Sequence, residues 1–221
     1  NVVLSRTSMV REAGFLSAAS IRGAENRGRG TTIIDFATPL EESFVVKTLG
    51  ERLGQEVDFA FDRDRGLVEK VTSRTLDGVR IDESRSSVAA DGRVAAAACL
   101  LGASERGDAS IPGWTEDVDA FIARVEHVAT WFPDEGISAF EPDDLQVLRA
   151  EIVGHRHRLT DLPGAGRTLE IVRSGLEWAQ LDFVERMAPT RLPLGPGRSV
   201  GLTWRRGEPP RGSARIGDLL G

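Results

Sequence analysis

Residues 31–54 read TTIIDFATPLEESFVVKTLGERLG, and the change of pattern inside this stretch decides the fold class. Thr31–Phe36 is dominated by β-branched and aromatic residues, which suit a pleated strand. Thr38-Pro39-Leu40-Glu41 then offers a hydroxyl cap, a proline at the first helical position and an acid three residues after the cap. Leu40, Phe44, Val45 and Leu49 follow at helical spacing, so a helix is expected to run to about Leu53 and stop at Gly54. A strand that gives way directly to a helix points to mixed α and β structure.

Working outward, Asn1–Ser5 and Phe15–Arg22 are short apolar-rich runs separated from the next strand by a glycine-rich loop, Gly23–Gly30. Val57, Phe59 and Phe61 alternate with Asp58 and Asp62 as in a half-buried strand. Asp62–Gly66 reads as a turn, Leu67–Leu76 as a second strand, and Asp77-Gly78 as another turn before Val79–Ile81. Several short strands around one helix make a small α+β sheet or partial barrel over residues 1–83.

The middle of the chain, residues 84–187, reads as helical. Ser86 or Ser87 is a candidate cap for a helix through Val88, Val94, Ala98 and Leu101, broken or weakened at Asp91-Gly92. Thr115 precedes the clearest helix, in which Val118, Phe121, Ile122, Val125, Val128 and Phe132 form one stripe ended by Pro133. Pro142 starts another, with Leu145, Leu148 and Ile152 inward. Thr168 is expected to cap a third, Leu169–Arg173, and Leu176–Met187 extends or follows it. Over residues 188–221 the pattern returns to strands, Leu192–Leu194 and Val200–Trp204, with turns at Leu194–Ser199 and Arg205–Gly212 and one more element beginning at Ala214. The expected fold class is therefore α+β: a small β-rich domain with one helix, a helical segment, and a C-terminal β element.

Composition bounds the function. The chain has 221 residues, 40% of them hydrophobic, and no apolar run long enough for a spanning helix. It opens on Asn1 without a signal-peptide pattern, which is the expectation for a fragment or a processed chain. The lone Cys99 excludes an internal disulfide, suits a cytoplasmic setting, and sits among alanines and leucines as a buried small hydrophobe would. The net charge of −6 is unevenly spread. Between Trp114 and Glu151 ten acids face two arginines, whereas between Arg186 and Arg215 seven arginines face Glu208 alone. Such asymmetry marks a candidate nucleic-acid face, although the acidic chain as a whole would not bind phosphates indiscriminately.

Tests for catalytic motifs come back empty. Gly164-Ala165-Gly166-Arg167-Thr168 lacks the lysine and the spacing of a phosphate loop, and reads better as a loop ending in a threonine cap. Asp82-Glu83-Ser84-Arg85 lacks the histidine of a helicase acidic box. His155 and His157, two apart, would point to opposite faces of a strand, and with Arg156 and Arg158 they read as a solvated basic turn. His127 reads as a surface or boundary residue. No catalytic residue, metal ligand or cofactor is assigned, and the chain is not expected to be an enzyme by itself. Two regions can meet phosphates: the loop carrying Arg27 and Arg29, and the turn carrying Arg198. Arg205 and Arg206 follow Trp204, which either stacks on a base or belongs to the sheet core, just as the arginines either meet phosphates or solubilise the surface.

One resemblance covers most of the chain. Phe183–Leu194 followed by Gly195-Pro196-Gly197-Arg198-Ser199-Val200 resembles the C-terminal signature of the HrpB-type ATP-dependent helicases, a helix ending in alanine-proline-threonine and then two strands joined by an arginine turn. Ala214–Gly221 is similar to the element that follows in that family. Ile111-Pro112-Gly113-Trp114, leading into Ala120–Val125, resembles its leucine-proline-tryptophan segment. Ala37–Glu42 is similar to its strand-to-helix step.

The resemblance implies a region that follows two RecA-like motor domains, a winged helix and a helical bundle. It also implies an oligonucleotide-binding-like character for residues 1–83. The family's catalytic residues all lie upstream of such a region. Gly195-Pro196-Gly197 departs from the family's proline-serine-glycine order, and family members continue some tens of residues further. The function so implied is an accessory nucleic-acid-binding and regulatory region of an RNA helicase, with single-stranded RNA and the helicase motor as partners. The alternative is a protein-interaction module whose acidic helical part docks onto the motor or another cytoplasmic protein. No membrane partner is expected.

Overall fold

The computed structural model describes residues 2–6, 8–10, 13–26, 29–195 and 198–213. The chain is α+β, and it divides into two compact units. The first takes residues 1–57 and 72–84, the second residues 58–71 and 85–221.

In the first unit, β1 (Val2–Leu4), β2 (Phe15–Asn26) and β3 (Arg29–Leu40) form a sheet in the order β1-β3-β2. β2 and β3 are antiparallel from Phe15↔Leu40 to Asn26↔Arg29, so the glycine-rich stretch read as a loop is largely strand. Ladder pairing holds there what local propensity alone does not. The predicted cap at Thr38 is also corrected. β3 continues through Thr38 and Pro39, and α1 (Glu42–Leu49) starts later, with Glu41 at its cap and the Val45 N–H donating to the Glu41 carbonyl at 3.1 Å. Pro39 fits a strand because β1 pairs with β3 only over Thr32–Ile34. At Pro39 one edge of β3 therefore has no strand partner among the described residues, and a residue without an N–H is tolerated. The helix is shorter than expected. A 3₁₀ turn, Gly50–Arg52, follows it, and Leu53 already belongs to β4 (Leu53–Asp62). Gly54 lies within that strand rather than ending the helix, and a Cβ on it would stand 2.7 Å from the Thr75 Oγ1.

β4 neighbours β5 (Leu67–Leu76), which neighbours β6 (Val79–Ser86). The Asp62 carboxylate accepts from the Asp64 and Arg65 amides at 3.0 and 3.1 Å, closing the β4–β5 turn. Asp77 and Gly78 both have positive φ (49° and 78°) at the β5–β6 turn, the backbone that tight strand-to-strand turns favour. Arg52 forms an ion pair with Asp77.

The second unit holds α2 (Arg93–Glu105), α3 (Glu116–Trp131), α4 (Pro142–Val153), α5 (Ala165–Arg173) and α6 (Trp178–Met187). It also holds the antiparallel strands β7 (Arg191–Gly195), β8 (Arg198–Arg205) and β9 (Glu208–Gly212), in that order across the sheet. The predicted stripe of α3 is the heart of one core. Val118, Phe121, Ile122, Val125 and Val128 are all at most 2% exposed, and Leu148, Val172, Val184 and Trp204 join them. A second core packs Val68 with Ala96, Ala97 and Leu100 of α2, with Ile111, and with Ile152 and Val153 of α4. The loop after α4 pairs with the start of β5, where the Val68 amide donates to the His157 carbonyl at 2.8 Å and the Leu159 amide to the Gly66 carbonyl at 2.9 Å. That pairing fastens residues 58–71 to this unit.

Two caps differ from expectation. Thr115 stands at the cap position of α3, but its buried hydroxyl has no hydrogen-bond partner among the described residues. Thr168 lies inside the first turn of α5, whose cap is Gly164. Its fully buried hydroxyl donates to the Pro163 carbonyl at 3.3 Å. Gly113 passes so close to this corner that a Cβ on it would fall under 3.0 Å from both the Thr168 hydroxyl and the Pro163 carbonyl oxygen. Arg205–Gly212, read as a turn, is mostly strand, with only Arg206 and Gly207 turning. Pro209 and Pro210 are accommodated because β9, among the described residues, is an edge strand paired with β8 alone.

Candidate nucleic-acid interface

The C-terminal sheet places the arginines of the chain's basic stretch. Along β8 burial alternates, with Val200, Leu202 and Trp204 turned to the core and Ser199, Gly201, Thr203 and Arg205 to solvent. Directly paired residues of an antiparallel ladder share a face. The solvent face is therefore completed by Arg191, opposite Gly201, and Pro193, opposite Ser199, on β7. On β9 it gains Arg211, opposite Thr203, and Glu208, opposite Arg205. Arg191, Arg205 and Arg211 are exposed, and the one acid among them is Glu208, which pairs with Arg211 at 3.1 Å. Arg191 donates to the Ser199 hydroxyl at 2.9 Å. Nothing lies within 4 Å of where a Cβ on Gly201 would be, so the middle of the face is open.

The connector between α6 and β7 fixes where this face begins. Arg124 of α3 is 3% exposed, and its Nε donates to the Ala188 carbonyl at 2.5 Å while its Nη2 donates to Glu185 at 2.5 Å. The Trp204 indole donates to the Pro189 carbonyl at 3.1 Å, and the Leu202 amide to the Thr190 carbonyl at 2.8 Å. Three successive carbonyls are thus captured just ahead of Arg191. Arg173 also pairs with Glu185 at 2.9 Å, and both guanidiniums lie over the Phe121 ring, at 5.9 Å for Arg124 and 5.4 Å for Arg173. Burial pushes the Glu185 carboxyl up, but the hydrogen bond and charge of Arg124, with those of Arg173, outweigh it and hold the group below the ordinary glutamate range.

An aromatic cluster gathers around Trp204 at this same end of β8. His127 and Trp131, four residues apart on α3, stack with ring centres 5.2 Å apart and planes 6° from parallel. Trp204 tilts against both, at 5.5 Å from His127 and 6.0 Å from Trp131. The His127 Nε2 lies 2.8 Å from the Glu208 carbonyl, and Arg206 pairs with Glu126 at 2.7 Å, so the β8–β9 turn is tied to α3 twice. Trp131 is 47% exposed.

The residues singled out from sequence are distributed as follows. Arg27 lies outside the described residues, and Arg29 stands at the start of β3 opposite Asn26, in the first unit. Arg198, Trp204, Arg205 and Arg206 belong to the second. Arg198 is exposed opposite Gly195 at the start of β8, and Arg205 is exposed on the face described above. Trp204 is corrected from the stacking reading to the core one: it is 4% exposed, its N–H is engaged, and His127 and Trp131 lie against its ring. Arg191 and Arg211, two of the seven arginines of the basic stretch, share the solvent face with Arg205, a placement set by strand register. The register of β9 would have disclosed Arg211, but its two prolines hid the strand.

Other chemistry is sparse. Among the described residues no group of three or more His, Cys, Asp or Glu side chains is placed to hold a metal ion. No helix among them is long and apolar enough to cross a membrane. The Cys99 thiol donates to the Phe59 carbonyl at 3.2 Å, and burial pushes its pKa up, away from nucleophilic character. Burial and the neighbouring Arg158 push the His157 pKa down.

No protein-family profile and no curated protein matches this chain. Two solved structures are similar to it. The E. coli DExH-box NTPase HrpB matches 92% of this chain with 25% of its own, at a TM-score of 0.53 and 14% identity. The Escherichia coli DEAH/RHA helicase HrpB matches 93% with 25% of its own, at a TM-score of 0.51 and 14% identity. At that identity the likeness is one of fold, and the chain spans about a quarter of the length of the structures it matches: it has the fold of one segment of an HrpB helicase chain.

Proposed function

We propose that this chain is an accessory region of an ATP-dependent RNA helicase that binds single-stranded RNA and guides it toward the motor. The observation that carries this reading is the solvent face of β7-β8-β9, where Arg191, Arg205 and Arg211 surround an open glycine position. Guanidinium groups suit phosphates because their planar donors match phosphate oxygens. The sheet offers them on rigid strands rather than on a loose tail. The region acts by binding and leaves ATP hydrolysis to the motor, its second partner. Arg198, at the entrance to β8, extends the contact.

The test is a fluorescence anisotropy titration of the full chain with a labelled single-stranded RNA, free and joined to the motor. Three phosphate contacts predict a slope of about −2 in log affinity against log salt, or roughly a 20-fold loss between 50 and 200 mM. Replacing Arg191, Arg205 and Arg211 together by glutamate should abolish that slope. Absence of binding at low salt in both forms overturns the reading.

A second reading, docking of a basic and apolar segment of the motor, is favoured by a cleft of about 400 Å³. Phe140, Val147, Leu148 and Leu176 line it, with Asp144 and Glu151 and no basic residue. Capture of the motor that is lost on Val147→Asp, with RNA indifferent, would favour this reading over the first.

A further inference from the structure

We infer that Arg149, held over Trp114, is the cation of a pocket that takes one phosphate group, using none of the arginines of the β7-β8-β9 face. The pocket measures about 200 Å³ and is lined by Ser104, Ala109, Ser110, Ile111, Trp114 and Arg149, with no acid among them. Sites that enclose whole small molecules run to roughly 300–1,000 Å³, so this one suits a single group rather than an entire nucleotide.

The arginine is the unusual element. Between Trp114 and Glu151 ten acids accompany two arginines, and one of these, Arg124, gives its charge to Glu185. Arg149 pairs with none of the ten and has no ion pair among the described residues. Its guanidinium carbon lies 4.9 Å from the centre of the Trp114 ring, which covers one face of the cation. The donors along the guanidinium edge stay available for bidentate contact with an oxyanion.

The pocket is built before any ligand arrives. The Trp114 indole donates to Asp119, outside the pocket lining, at 2.9 Å, and the Trp114 amide donates to the Ile111 carbonyl at 3.0 Å. Ala109 and Ile111 are buried in the core that joins α2 and α4. Ser104 stands in the last turn of α2, where unpaired carbonyls would repel an anion. Here the amides of Arg106, Gly107, Asp108 and Ala109 already occupy the carbonyls of Gly102, Ala103 and Ser104. The hydroxyls of Ser104 and Ser110 have no hydrogen-bond partner among the described residues and are free to donate. Donors therefore come from α4, from the end of α2 and from the loop after it. A tetrahedral phosphate has an oxygen for each of the three, whereas a planar carboxylate has two.

The experiment follows the four indole N–H signals of the full chain by proton–nitrogen NMR while sodium phosphate is added at constant ionic strength. Trp114→Phe identifies the Trp114 signal by its loss. Phosphate should move that signal with a midpoint on the order of 1 mM, and no saturable movement up to roughly 20 mM overturns the site. Movement confined to the other three indoles overturns it as well. Acetate that moves the Trp114 signal as readily as phosphate overturns the assignment to phosphate. These titrations of the wild-type chain do not depend on how any variant folds. Arg149→Lys keeps the charge but loses the planar fork and should raise the midpoint about tenfold, while a midpoint within about twofold of wild type overturns the role of Arg149. The Arg191, Arg205 and Arg211 triple variant should keep the phosphate response, so failure of the RNA reading and failure of this site are told apart. Loss of the Trp114 response in that variant overturns the pocket. A 5′-phosphorylated oligoadenylate that moves the Trp114 signal, where its 5′-hydroxyl counterpart does not, makes a strand end the source of the phosphate. A response to inorganic phosphate alone makes the free ion the source, and either result supports the pocket.

Discussion

Gly113→Ala should destabilise the second unit more than any exposed substitution in it. The new Cβ would fall under 3.0 Å from the Thr168 Oγ1 and the Pro163 carbonyl oxygen, and 3.1 Å from the Gly164 carbonyl carbon. Regaining an ordinary contact of about 3.5 Å requires a retreat on the order of 1 Å. None of these atoms is the loose end of a long side chain. Thr168 is fully buried in the first turn of α5, and the other two atoms are backbone at its cap. The expected cost is therefore at the upper end of the overpacking range, about 3 kcal/mol. In a chain of this size that is a fall in Tm of roughly 6–12 °C.

The assay is intrinsic fluorescence during thermal unfolding. All four tryptophans (Trp114, Trp131, Trp178 and Trp204) lie in the second unit, so the signal reports on the unit that holds Gly113. Thr168→Ala in the same chain should recover only part of the loss, because the clash with the Pro163 carbonyl remains. Gly113→Ala within about 0.5 kcal/mol of wild type would show that the corner yields freely, and full rescue by Thr168→Ala would show that only the side chain was in the way.

Gly54→Ala makes the corresponding test in the first unit. Its Cβ would stand 2.7 Å from the Oγ1 of Thr75, itself 5% exposed, and a loss of about 1–3 kcal/mol in far-UV circular dichroism melts is expected, relieved by Thr75→Ala. Glu185→Gln should remove a pH dependence. The depressed carboxyl contributes stability above the ordinary glutamate range and loses it as pH falls through the folded value, so the urea midpoints of variant and wild type should converge on acidification below pH about 4. Midpoints that stay equally far apart down to pH 3 would refute the role given to Arg124 and Arg173. Arg206→Ala removes an exposed pair with Glu126 and should cost no more than about 1 kcal/mol, while a larger loss in urea unfolding would mean that the β8–β9 turn leans on that pair.

The parts of the fold that sequence discloses are those where burial sets the period. Val118 to Val128 read as one face of a helix because every member packs in one core, and Val200, Leu202 and Trp204 alternate because β8 has one wet side. Local chemistry misled where tertiary pairing overrode it. Thr38-Pro39 has the wording of a helix start, yet β2 pairs with it as strand. Pro209-Pro210 has the wording of a turn, yet an edge strand tolerates both. Thr168 looked like a cap because hydroxyls are common there, but its hydroxyl serves the turn ahead of the helix instead.

The candidate site was half legible. The arginine-rich stretch stood out by charge, but which arginines share a face depends on strand register. The standing of Trp204 and Trp131 depends on the packing of β8 against α3. Trp204, next to Arg205 in sequence, is buried, whereas Trp131, 73 positions earlier, is half exposed.

The division of the chain has a practical consequence for anyone who wishes to dissect it. The backbone leaves the first unit within β4, after Val57, and returns within β5, at Thr72. No single cut separates the units, because a truncation at residue 84 carries away the start of β5, which pairs with His157 and Arg158. To isolate the first unit, residues 58–71 must be replaced by a short turn. To isolate the second, those fourteen residues must be grafted back ahead of Arg85. Deletion series that ignore this interleaving would report misfolding where they intend to report function.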